Sequence, residues 1–226
     1  MKQRLSMSKT EIKTTSKVAN KTRSKSEEKR QLILTAATDL FCDKGFLSTS
    51  MDHIAKQAGV SKQTVYSHFG NKEDLFKAAI NSRCNLFRMS AMPAEMLNNP
   101  QKALQAFSNN FIDLILSKEG LAIHRICIFE SQTNPEISQL FFAAGPEPVI
   151  AEMADIFKHY TTIGLLKISD PHMAAIQFLS MIKGEAMMRR EYNTELQLTE
   201  CEISNYIEKT IELFLTGYGF DFNKTY

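Results

Sequence analysis

From Ser26 onward the apolar positions fall into a helical rhythm. Leu32, Ile33, Ala36, Ala37, Leu40 and Phe41 recur at i, i+1, i+4, i+5, i+8 and i+9, one face of a 3.6-residue period, and predict a first helix. Glu27 and Glu28 sit in its first turn, where carboxylates favour the helix dipole, and Lys44-Gly45 closes it. Ser50 caps a second, short helix whose stripe is Met51, Ile54, Ala55 and Ala58, ended by Gly59. Ser61 begins a third with Val65 and Phe69 inward, and Asn71 a fourth carrying Leu75, Phe76, Ala79 and Ile80.

Beyond residue 80 the pattern stays helical with wider spacing between breaks. Pro100 opens a long amphipathic segment through Ile115. Residues 121–129 are apolar nearly all round except His124 and Arg125, the pattern of a centrally buried helix. Pro135, Gly145, Pro146 and Pro148 bracket a short helix with Leu140, Phe141 and Phe142, and another helix covers 149–160. Asp170-Pro171 starts a helix to about Arg190, and Thr199 caps a last one over 203–215. No strand-like alternation persists and no repeat is found, so the predicted fold class is all-α.

Two short helices joined by a tight glycine-containing turn, behind a longer supporting helix, make a helix-turn-helix. So small a unit cannot bury its third helix all round. The polar edge of that helix, Lys62, Gln63, Thr64, Ser67 and His68, is left to enter a groove.

Charge sharpens this picture. The whole chain of 226 residues has a formal net charge of only +2. Residues 1–25 nevertheless carry eight basic side chains against Glu11 alone, with no lasting apolar period, and read as a disordered cationic tail. Such a tail gains free energy beside a polyanion by releasing counterions. The alternatives are a solvated tail without a partner, or a chain that begins at Met7. The start is polar rather than apolar, and no run nears the ~18 apolar residues of a membrane span, so the expected location is cytoplasmic, with no membrane partner. Cys42, Cys84, Cys127 and Cys201 lie too far apart for a zinc knuckle or a disulfide framework, so no metal or cofactor is expected and the thiols read as reduced.

The run TSMDHIAKQAGVSKQTVYSHFGNKEDLF over 49–76, with residues 33–45 before it, resembles the DNA-binding signature of the TetR/AcrR family of bacterial transcriptional regulators. That resemblance implies a three-helix DNA-binding head joined by its fourth helix to a larger helical domain. The larger domain would dimerise through its last two helices and bind a small molecule that lowers DNA affinity. By position, Thr49 and Ser50 would contact phosphate, Lys62, Gln63 and Thr64 would read base edges, and Tyr66 and His68 would grip the backbone. Lys72 would meet a phosphate at the start of the fourth helix. Hydroxyls, a phenol and an ammonium suit phosphate, and Gln can bond adenine bidentately.

The expected organisation is a basic tail over 1–25, a helix-turn-helix domain over 26–72, and an effector-binding and dimerisation domain over 73–220. The expected function is a homodimeric repressor on a pseudo-palindromic double-stranded operator, released by a small apolar or amphipathic effector among the helices of 100–182. Phe107, Phe111, His124, Cys127, Phe141 and Phe178 are candidate lining residues, with methionines from Met89 to Met188 as adaptable neighbours. The apolar faces of Ile176, Leu179, Ile182, Ile203, Ile207, Ile211 and Phe214 are candidates for the dimer contact. Two alternatives stay open. One is an effector-independent DNA-binding protein that uses the tail. The other is an enzyme in which His124 and Cys127, with Ser131 on the same helical face, act as a reactive pair.

Overall fold

The computed structural model describes residues 25–85, 89 and 92–223. The expected tail and the alternative start at Met7 therefore lie outside the described residues, save Lys25. The head consists of α1 (Lys25–Ser48), α2 (Met51–Ala58), α3 (Lys62–Phe69) and α4 (Lys72–Cys84). α1 buries Ile33, Leu34, Ala37, Leu40 and Phe41. Its helical path stops at Gly45, where φ 79 and ψ 169 suit a residue without a Cβ, and Phe46 turns back into the core before the helix resumes to Ser48. Rings of Phe41, Phe46 and Phe76 then close on one another with centroids 5.1–5.7 Å apart, tying α1 to α4.

Each short helix starts where its cap chemistry places it. Ser50 Oγ accepts from the His53 amide at 3.2 Å, Ser61 Oγ from that of Thr64 at 3.1 Å, and Asn71 Oδ1 from that of Asp74 at 2.7 Å.

The remaining elements are α5 (Ala94–Leu97), α6 (Pro100–Leu116), α7 (Lys118–Glu130), α8 (Pro135–Ala144), α9 (Pro146–Thr162), α10 (Pro171–Glu191) and α11 (Glu200–Gly217). Among the described residues there is no strand, and no helix is long and apolar enough to cross a membrane. α9 begins at Pro146, three residues before the expected start. Its two prolines fall in the first turn, where amides have no helical acceptor and nothing is lost without them. α7 begins at Lys118 because Ser117 caps it. It is not buried throughout, for Phe129 at its end is 81% exposed.

Two apolar clusters form. The first joins α1–α4 and takes in Ile123 and Cys127 of α7 with Ile137 and Ala144 of α8. The second packs α6, α9, α10 and α11. The expected dimer face needs correction, because Leu179, Ile182, Ile207, Ile211 and Phe214 are buried in this second cluster within the chain. The apolar groups that α10 and α11 leave exposed are Met173, Ile176, Met188, Tyr206 and Leu213. Helical periodicity identifies an apolar stripe but not which of two neighbours it meets.

Candidate functional site

α3 is held from beneath and open above. Val65 and Phe69 are buried in the first cluster, and the Arg30 guanidinium of α1 lies 5.4 Å from the Phe69 ring centroid. Their i, i+4 spacing turns the opposite edge outward. Lys62, Gln63 and Ser67 are exposed, Tyr66 is 44% exposed, and Thr64 and His68 are half-buried. The phenol of Tyr66 thus stands at the surface rather than in the core. Thr64 Oγ1 shares a hydrogen bond with Ser61 Oγ at 2.8 Å, and Ser67 Oγ donates to the Thr64 carbonyl at 2.9 Å. The Lys62 ammonium is paired with Asp52 of α2 at 2.7 Å and lies 5.8 Å from the Tyr66 ring. The hydrogen bond it donates to the Asp52 carboxylate raises its pKa above the ordinary lysine value.

Thr49 departs from the expectation. It is 1% exposed, and its hydroxyl points to the Gly45 carbonyl at 2.8 Å and that of Leu40 at 3.1 Å. Ser50 takes the capping position, so Thr49 falls one residue outside α2 and closes the end of α1. Its side chain is a strut and is not presented to phosphate. Ser50 is exposed, and its Oγ accepts from the His53 amide with its own proton left to donate. Lys72 is turned inward as well. Its ammonium donates to the carbonyls of Phe46 at 2.9 Å and Thr49 at 3.0 Å and sits 4.3 Å from the Phe46 ring centroid. Desolvation lowers its pKa.

Beside the head lies a cavity of about 460 Å³, lined mostly by apolar side chains. Of the six candidate residues, Phe111, His124, Cys127 and Phe141 line it. Phe107 and Phe178 do not. Phe107 stacks on Phe111 from behind at 5.5 Å, and Phe178 packs edge-on against Phe157 and Phe214 in the second cluster. Among the expected methionines Met187 is in the wall, whereas Met89 and Met153 fill the second core. What the sequence did not reveal is that the head builds part of this wall. Phe41 of α1 and Phe76, Ile80 and Arg83 of α4 face the same space as α6, α7, α8, α9 and α10. Their apolar period had one explanation already, the head's own core, and no local signal marks a stripe shared with a void.

His124 and Cys127 do not form a reactive pair. His124 Nε2 is bonded to Glu191 Oε1 at 2.9 Å, and burial pushes the Cys127 thiol up to about 12, leaving it protonated. Ser131 Oγ, the third group on that face, donates to the Ile128 carbonyl at 2.7 Å. Among the described residues no cluster of His, Cys, Asp and Glu could hold a metal.

Comparison with known proteins accounts for both halves. The family model described as "Bacterial regulatory proteins, tetR family" matches residues 33–79, and that described as "AefR-like transcriptional repressor, C-terminal domain" matches 102–220. The chain is similar to the HTH-type transcriptional regulator SrpR of Pseudomonas putida, 24% identical over 67% of this chain and 70% of that protein. In structure it resembles the flavonoid-responsive regulator FrrA, with a TM-score of 0.65 and 33% identity over 84% of this chain and 97% of the other. A TetR-family regulator from Mesorhizobium loti also superposes with a TM-score of 0.65, at 29% identity, over 87% of this chain and all of that one. These relatives are regulators. The chain belongs to the TetR family and is a DNA-binding transcriptional regulator.

Proposed function

We propose that this regulator is a homodimeric repressor whose grip on a pseudo-palindromic operator is loosened by a small apolar or amphipathic effector in the 460 Å³ cavity. The observation that carries this reading is the shared wall, since an occupant touches α1 and α4 of the head and the helices of the larger unit at once. It therefore has differential contacts with two orientations of the head, which is what a coupling between sites requires. The repressor sense draws support from the AefR-like match over residues 102–220 and the effector from the flavonoid-responsive relative. The division expected from the sequence, a head over 26–72 and an effector and dimer unit over 73–220, cuts α4 after its first residue, whereas α4 packs with α1–α3 in the first cluster and is counted with the head.

In the complex, Gln63, Thr64 and a released Lys62 reach base edges, while Ser50, Tyr66, Ser67 and His68 contact the backbone. The two α3 helices sit about 34–36 Å apart, or a multiple of that, in successive major grooves. Lys72 is a brace and not a principal phosphate ligand. Binding-site selection from genomic DNA with the purified chain tests the reading. A two-fold symmetric site, bound ~10³-fold or more above random duplex and released by a cavity ligand, is expected. Equal affinity for random and selected duplexes at 150 mM salt would favour the effector-independent DNA-binding protein instead.

A further inference from the structure

We infer that the cavity takes an amphipathic anion, an apolar body bearing one carboxylate or comparable acidic group, held by Arg83 and Lys183. This rests on the effector reading above and adds the charge and chemistry of the ligand.

The body of the cavity is set by Phe76, Ile80, Phe111, Ile123, Phe141 and Leu179, which offer nothing to hydrogen-bond. Most polar groups in the wall are already spent. Thr38 donates to the Leu34 carbonyl, Ser117 to that of Leu114 and Ser138 to that of Cys127. Ser131 is bonded to the Ile128 carbonyl, His124 is bonded to Glu191, and the Cys127 thiol is protonated. Hydroxyls engaged in this way have no proton left to donate and can only accept from a ligand.

Arg83 on α4 and Lys183 on α10 are different. Both line the cavity, both are exposed, and neither makes a hydrogen bond or ion pair with any described residue. The wall holds one carboxylate, Glu119, and it pairs with neither cation. Two unengaged cations in an otherwise apolar wall repel a cationic ligand and gain nothing from a neutral one. A guanidinium and an ammonium each bind a carboxylate by charge-assisted hydrogen bonds. The apolar body gains by leaving water, and the acidic end stays with the exposed cations. Because Arg83 belongs to the helix that starts beside α3, the ligand charge bears directly on the head.

A matched pair of probes tests this on the full chain: 1-anilinonaphthalene-8-sulfonate, which is anionic, and N-phenyl-1-naphthylamine, the same skeleton without the acid. Fluorescence titration is expected to show one site per chain, with the anionic probe bound at least about tenfold more tightly. The double variant Arg83→Gln, Lys183→Gln, altered only at exposed positions, is expected to erase that margin and leave the neutral probe unchanged. Equal binding of both probes to the unaltered chain, or a margin that survives in the double variant, would overturn the anion inference and leave the cavity reading standing. Failure of both probes to bind would overturn the two together.

Discussion

The Lys72 ammonium donates to the Thr49 carbonyl at 3.0 Å, and Thr49 in turn donates through its hydroxyl to the end of α1. One side chain at the start of α4 thus fixes the corner where α1 gives way to α2. Desolvation lowers the Lys72 pKa, so its burial costs something that the Phe46 and Thr49 carbonyls offset. Lys72→Met keeps the stem but leaves both carbonyls without this donor. It is expected to lower stability by about 1 kcal/mol in urea denaturation and to weaken operator and random duplexes alike, because it loosens the head without touching a base. A change in sequence preference at unchanged stability would instead make Lys72 a reading residue.

Asp52 pairs with Lys62 on the exposed edge of the head. The pair is 2.7 Å apart but exposed on both sides, so it contributes little to stability. Asp52→Asn should leave the melting temperature unchanged. It also removes a negative charge beside the duplex and releases the Lys62 cation to enter the groove. Operator affinity is expected to rise several-fold at 150 mM salt, and the slope of log affinity against log salt to steepen by about one unit. Fluorescence anisotropy over a salt series measures both, and an unaltered affinity and slope would show that Asp52 does not restrain Lys62.

What could be read from the chain was local. Ser50, Ser61, Asn71, Asp170 and Thr199 all cap the helices expected of them, since an oxygen bonding an amide three residues on needs no knowledge of the rest of the fold. The inward turn of Val65 and Phe69 follows from spacing in the same way. Contacts between distant elements could not be read. Phe178 and Ile211 carried the apolar period expected of a cavity or dimer face, yet both pack inside the chain. Phe41 and Phe76 looked fully explained by the head's core, yet also line the cavity. Periodicity ranks faces by hydrophobicity, and where two apolar surfaces meet imperfectly the void belongs to neither stripe alone.

Gly184 interrupts α10 at φ 46 and ψ −154, backbone that an L side chain rarely adopts. A Cβ built there would lie 2.5 Å from the ring of Tyr206, whose hydroxyl donates to the Met181 carbonyl at 2.7 Å across the bend. Gly184→Ala must therefore straighten α10 or displace Tyr206. It is expected to cost about 2 kcal/mol or more in thermal unfolding. Tyr206→Ala in the same chain should recover part of that loss, the part due to the clash, while the strained backbone remains. Simple additivity of the two substitutions would mean that they are not coupled.

Thiol chemistry separates the cavity from the surface. Burial pushes Cys127 up to about 12 and Cys42, aided by the nearby charge of Glu119, to about 11, whereas Cys201 is exposed on α11. At pH 8 the thiolate fraction of Cys127 is about 10⁻⁴, too small for useful nucleophilicity. Iodoacetamide at that pH should modify Cys201 in the folded chain and reach Cys127 only in denaturant, as peptide mass mapping would show. The folded state holds the Cys127 proton more tightly than the unfolded, whose thiol titrates near 9.0. The stability this thiol contributes is therefore fully present below that pH and lost as pH rises from about 9 towards 12. A Cys127→Ala variant should show a shallower fall over that window in denaturant midpoints, and prompt alkylation of Cys127 at pH 8 would instead reveal an opening of the cavity wall that exposes the thiol to water.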